Sequence, residues 1–125
     1  MHEYRVDPDQ RIVQERFRGR LLLEDLIAGM SAVADDPACP LAYDIIVDLL
    51  DAELAVHHSE MLALLDVHDG RYDVAEENGR TALIADDPRT TALAMLFVNK
   101  VATREAKVFS NHDDARRWLA RHREP

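Results

Sequence analysis

Residues 43–61 read YDIIVDLLDAELAVHHSEM. A β-branched run from Tyr43 to Leu50 gives way to an acidic connection, two adjacent histidines and then Ser59. A short apolar run bounded by breakers is the pattern of a strand covered on both faces. Beyond it, SEMLALLDVH (59–68) places Met61, Leu62, Leu65 and His68 at helical spacing, with Ser59 as the expected N-cap. The polar stretch HDGRYDVAEENG either extends that helix or leaves it. A buried strand feeding a helix is half of a βαβ unit, and the rest of the chain repeats the unit.

Downstream, TALIAD (81–86) predicts a second covered strand and PRTTALAMLFVNKVA (88–102) a helix. The Asp-Asp-Pro turn between them makes Asp87 the cap and puts Pro88 at the favoured first helical position. A strand AKVFS (106–110) and a last helix over 113–124 follow. Asn111 is that helix's expected N-cap, Asp113 and Asp114 lie in its first turn, and arginines crowd its C-terminal half. Upstream, EYRV and RIVQERF flank DPDQ and carry Tyr4, Val6, Val13 and Phe17 at even spacings within each arm, a β-hairpin with one buried face. The segment after Gly19 sets Leu23, Leu26, Ile27, Met30 and Val33 on one stripe, so a helix is expected from about Leu22 to Ala34. The order β-β-α-β-α-β-α-β-α predicts an α/β fold: a mostly parallel sheet of about five strands with an antiparallel edge hairpin and four helices, one domain over 1–125.

Composition narrows the function classes. Residues 21–79 hold fourteen acidic side chains against the single basic Arg71, and this segment dominates the net charge of −9. Such a chain repels a phosphate backbone, so nucleic acid is not expected as a partner, and a protein with a basic surface fits better. A solvated acidic face that keeps the chain soluble is the simpler account. No stretch approaches the roughly 18 apolar residues of a membrane span. Residues 1–20 show no secretory pattern, and the single Cys39 cannot form an internal disulfide, so a cytoplasmic location is expected.

The order of elements, with IIVDLLDAELAVHHSE, TALIADDPRTTALAMLF and AKVFSNHDDARRWL, resembles the SpoIIAA-like (STAS-like) superfamily, in particular small bacterial STAS/SEC14-domain proteins. The resemblance covers nearly the whole chain and rests on fold signatures. It implies a non-catalytic regulatory or small-ligand-binding module, since the superfamily includes anti-sigma-factor antagonists, regulatory domains of anion transporters and relatives that hold lipids or other apolar ligands. The antagonists share an Asp-Ser-x-Gly at the start of the helix after the strand matching Tyr43 to Leu50, and a kinase phosphorylates its serine. Here Ser59 follows His58 and precedes Glu60 and Met61, without glycine, so the resemblance argues against Ser59 as a phosphosite and leaves the antagonist-type switch as the alternative function.

Candidate sites follow from placement. Asp48, Asp51, Glu53, Asp86 and Asp87 gather near the expected C-terminal ends of two parallel strands, where ligands settle in open α/β sheets. Asp51, His58 and Asp86 are therefore candidate surface residues, but neither a nucleophile elbow nor a phosphate-cradling glycine loop accompanies them, so no enzyme and no cofactor is expected. His57 and His58 are adjacent and cannot easily reach one ion together, so no metal is expected either. Leu93, Met95, Leu96, Phe97, Val98 and Val101 cover more than one face of their helix. Coverage this wide means a helix covered by its neighbours, paired with a second copy in a homodimer, or lining a pocket for an apolar ligand. Met95, Phe97 and Val98 are the candidate ligand or partner surface if they point away from the sheet that Leu93, Leu96 and Val101 cover, the alternative being that Phe97 belongs to the domain core.

Overall fold

The computed structural model describes residues 1–121 and 123. The hairpin strands are β1 (His2–Asp7) and β2 (Ile12–Leu21), followed by α1 (Leu23–Ala34), β3 (Asp44–Leu54), α2 (His58–Tyr72), β4 (Thr81–Ile84), α3 (Pro88–Lys100), β5 (Ala106–Phe109) and α4 (His112–Arg121). The element order is the one the sequence predicts. The strands lie side by side in sequence order; β1 pairs antiparallel with β2, and every later pair is parallel.

This order decides where the helices go. When each crossover is right-handed and each new strand is added on the same side, all crossover helices fall on one face. Accordingly Leu26 of α1, Met61 and Leu64 of α2 and Phe97 of α3 share a buried cluster with Phe17, Leu49 and Leu83 of the sheet. Only α4, which follows the last strand, packs the opposite face, where Trp118 and Leu119 meet Ile46, Ala82 and Ile84. Fully burying side chains of this size contributes about 1.5–3 kcal/mol each. Beyond α4 the outer face of β1 to β3 is a polar lattice, with Arg18 bonded to Glu3 at 2.7 Å and Arg16 to Asp51 at 2.5 Å. Exposed pairs of this kind contribute only about 0–1 kcal/mol, so they tile the surface rather than hold the fold.

Several boundaries differ from the sequence reading. The acidic connection after Leu50 is the second half of β3, because the pairing steps from Arg16↔Asp48 to Arg18↔Asp51 and leaves Leu49 and Leu50 opposite Phe17. That bulge reverses the in-out alternation. Leu49 and Leu54 both face the helices although four residues lie between them, an even number that would put them on opposite faces of a regular strand, while Asp51 and Glu53 face solvent. The amide of Leu50 donates to Asp48 Oδ1 at 2.9 Å, and Asp48 Oδ2 meets His112 Nε2 at 2.9 Å, so one carboxylate stabilises the bulge and anchors α4. Helix α2 runs on through the polar stretch to Tyr72. Ser59 is not its N-cap: His57 holds that position, and its backbone N–H donates to Glu60 Oε1 at 2.8 Å. Asp87 and Asn111 do cap as expected, accepting from Thr90 N and Asp114 N at 2.9 Å each. The last helix starts at His112; of its expected end, positions 122 and 124 lie outside the described residues.

Replacing Asp48 with alanine leaves the part-buried Leu50 amide without its acceptor and is expected to cost about 1–3 kcal/mol in urea unfolding. Asp48→Asn, which keeps an acceptor at Oδ1, is expected to recover most of that loss; equal losses in the two variants would contradict the bulge-capping role.

Candidate functional site

The three helices on one face do not fill the space over the sheet. A cavity of about 80 Å³ lies between β2, β3 and β4 and helices α1, α2 and α3. A single water needs roughly 10–15 Å³, so the space holds several waters or a small organic molecule. Phe17, Leu49, Leu54, Met61, Leu64 and Phe97 give it apolar walls. Glu15, His68, Tyr72 and Thr81 interrupt those walls with polar groups. Gly29 lets α1 approach closely here, since a Cβ at that position would lie 2.6 Å from the Phe17 ring.

The polar groups are held from behind. Glu15, 5% exposed, meets His2 Nε2 through Oε1 at 2.9 Å, and the His2 ring lies against Phe17 at 4.5 Å. Burial pushes the Glu15 carboxyl above its ordinary 4.5, while the His2 bond and the Arg104 charge pull it back. His68, 4% exposed, packs edge-on to Phe97 at 5.0 Å and against Tyr72 at 4.6 Å. Burial lowers its pKa below the ordinary 6.5 despite Asp69 Oδ1 at 3.3 Å from Nδ1, so the ring is neutral at neutral pH.

Arg104, in the connection between α3 and β5, is 4% exposed and closes this end of the site. Its Nε donates to Thr81 Oγ1 at 2.9 Å, Nη1 to the Leu41 carbonyl at 2.8 Å, and Nη2 to the carbonyls of Tyr43 and Arg80 at 2.8 and 3.1 Å. The guanidinium lies 4.9 Å from the centre of the Tyr72 ring. Burial lowers its pKa to about 10, still well above neutral, so it remains charged. Thr81 is therefore occupied as Arg104's acceptor, and no serine or cysteine is among the described residues lining the cavity.

The residues singled out from sequence are scattered by the fold. Of the two placements open for Phe97, the fold takes the core one: it is 7% exposed and lines the cavity, because Ala94 and Phe97 form the inward stripe of α3. Val98 is half-buried against the same core, and Met95, 43% exposed, points outward. Asp51 is on the opposite sheet face with Arg16. His58 is exposed beside a shallow groove with Arg20, Glu53 and Arg89, and Asp86 is exposed in the turn before α3. Ser59 is exposed in the first turn of α2. Cys39 packs with Val13, Val33 and Ile45, and burial pushes its thiol to about 11, which keeps it protonated and unreactive.

Glu15, the residue most informative about the cavity, was available in the sequence. It shares the even spacing of Val13 and Phe17, so a carboxylate was due on the buried face of the hairpin. His68 likewise falls on the apolar stripe of its helix. Arg104 gave no such signal.

No family model and no curated protein matches the chain. Solved structures do. An uncharacterised protein of the DUF3478 family with a SpoIIAA-like fold, from Shewanella loihica PV-4, superposes with a TM-score of 0.63 at 16% identity, over 94% of this chain and 93% of that one. The anti-sigma factor antagonist SpoIIAA in its unphosphorylated form superposes with a TM-score of 0.55 at 15% identity, over 97% and 98% of the two chains. At these identities the likeness is one of fold, and the chain has the SpoIIAA-like, STAS-like α/β fold.

The environment of His68 sets a pH dependence. A histidine whose pKa is lower folded than unfolded binds its proton more readily in the unfolded chain. Its contribution to stability is thus complete above 6.5 and is lost as pH falls below that value. Glu15, raised above 4.5 by burial, acts in the opposite sense, favouring the folded state as it protonates. Unfolding curves of wild type and His68→Gln between pH 8 and pH 5, run under conditions on the order of those that resolve a single titration, are expected to converge as the pH falls. Parallel curves would mean that His68 does not titrate on unfolding.

Proposed function

We propose that the chain is a cytoplasmic, non-catalytic regulatory module that binds a small apolar ligand in the cavity on the helix side of its sheet. The observation that carries this reading is the cavity itself: about 80 Å³ of space inside a core whose other contacts are close, walled by Phe17, Leu49, Met61 and Phe97 and marked by the buried Glu15 and His68. Interiors pack to crystal-like density, so space of this size is kept at a cost in stability, and a ligand gives it a use. With Phe97 drawn inward, a homodimer through α3 would present Met95 as its exposed apolar side chain.

Native mass spectrometry of the purified protein tests ligand and oligomeric state together. The expected result is a non-covalent adduct that organic extraction removes and that Ala94→Leu, which fills the cavity from α3, abolishes while circular dichroism stays unchanged. Protein that carries no adduct and takes up none from a panel of small apolar compounds overturns the ligand reading.

The second reading is a protein-interaction switch of the antagonist type. It draws on the fold shared with SpoIIAA and on one further observation, the exposure of Ser59 in the first turn of α2, where a phosphate would meet the positive end of the helix. Because Ser59 is not the cap, Ser59→Ala is expected to shift stability by less than about 0.5 kcal/mol and leave ligand retention unchanged. Stoichiometric phosphate on Ser59 in cells would favour the switch over the ligand module.

A further inference from the structure

Of the three titratable groups on the cavity wall, Glu15 and His68 are acceptors, and Tyr72 carries a hydroxyl that can donate or accept. A carboxylate offers two oxygens and about four lone-pair positions, and the single bond from His2 to Glu15 Oε1 leaves acceptor capacity. Asp69 Oδ1 beside His68 Nδ1 holds the ring proton on that nitrogen, which leaves the lone pair of the neutral imidazole on Nε2. The buried cation nearby, Arg104, already donates four hydrogen bonds to Thr81 and to three backbone carbonyls. Apart from the Thr81 hydroxyl, which accepts from Arg104, the remaining walls are apolar, and they are short in reach, since the whole space is about 80 Å³.

We propose that this cavity selects a ligand with a short apolar body and a hydrogen-bond-donating head, an alcohol or a primary amine, and rejects carboxylates. The inference rests on the ligand-binding reading above and adds to it the chemistry of the head group. A donor head satisfies Glu15 or His68. A carboxylate brings a like charge to Glu15 in a site with little water to screen it, and with Arg104 committed elsewhere it finds only neutral hydroxyl donors, which do not balance its charge. A site whose buried polar groups need donors discriminates strongly against a ligand that lacks them.

The test uses the full chain and three probes of equal chain length: n-hexanol, n-hexylamine and hexanoate, with the n-butyl series as the shorter control, read by NMR shifts of the amides of Phe17, Leu64 and Phe97. The alcohol or the amine is expected to bind at least about tenfold more tightly than the carboxylate, and whichever of the two binds better identifies a neutral or a cationic head. Glu15→Gln, which preserves the side chain's shape but removes its charge, is expected to bring hexanoate to within about threefold of hexanol. Hexanoate binding as tightly as the other two in the wild-type protein overturns the head-group inference while leaving the ligand module standing. Failure of all three probes and their shorter homologues to bind overturns both.

Discussion

A charged guanidinium buried in the interior is the constraint around which this molecule is arranged. Arg104 cannot give up its proton at neutral pH, so its donors must be satisfied where they lie. They are met by carbonyls from the segment before β3 and from the residue before β4, and by the Thr81 hydroxyl at the start of β4. These groups would otherwise be loose strand entries, and the shared cation fixes their separation. Gly79 completes the corner, since a Cβ there would lie 2.2 Å from the Tyr43 carbonyl oxygen. Tyr72, stacked on the guanidinium, carries the end of α2 to the same point, and His68 one turn earlier is placed by it. The polar end of the cavity is thus a consequence of one buried charge and its partners.

The topology supplies the other half. A sheet wound in a single direction receives three helices on one face and a single terminal helix on the other. Three helices arching over a twisted sheet meet it at unequal heights, and side chains must fill the wedge between them. Here Ala94 is small where a larger residue would have closed it. The two faces have become chemically distinct: one encloses apolar space with a few oriented polar groups, and the other is partly a lattice of exposed ion pairs.

How much of this could be read from sequence depended on the range of the interactions. Periodicity is local, and it placed every strand and helix in order. Capping is also local: Asp87 and Asn111 were legible, whereas His57 displaced Ser59 because Glu60 reaches back to the amide of His57. The face presented by α3 was not legible, since six apolar residues on a helix do not say which of them the sheet will take, and Phe97 went inward. The acidic residues near the strand ends suggested a site that the fold disperses, because the bulge after Asp48 turns Asp51 to the outer face. Arg104 lies 61 residues from Tyr43, which it binds, and nothing in the local pattern forecasts such a partner.

The bulge in β3 also determines what kinds of sequence change the protein tolerates. Asp51 and Glu53 are exposed, so many replacements there would meet only solvent and the Arg16 side chain. Straightening the bulge with every residue kept is a different matter. It would restore the regular alternation, turn two carboxylates into the apolar cluster and push Ala52 and Leu54 toward water. Along this stretch the strand behaves like a reading frame: its letters can drift, but its phase cannot.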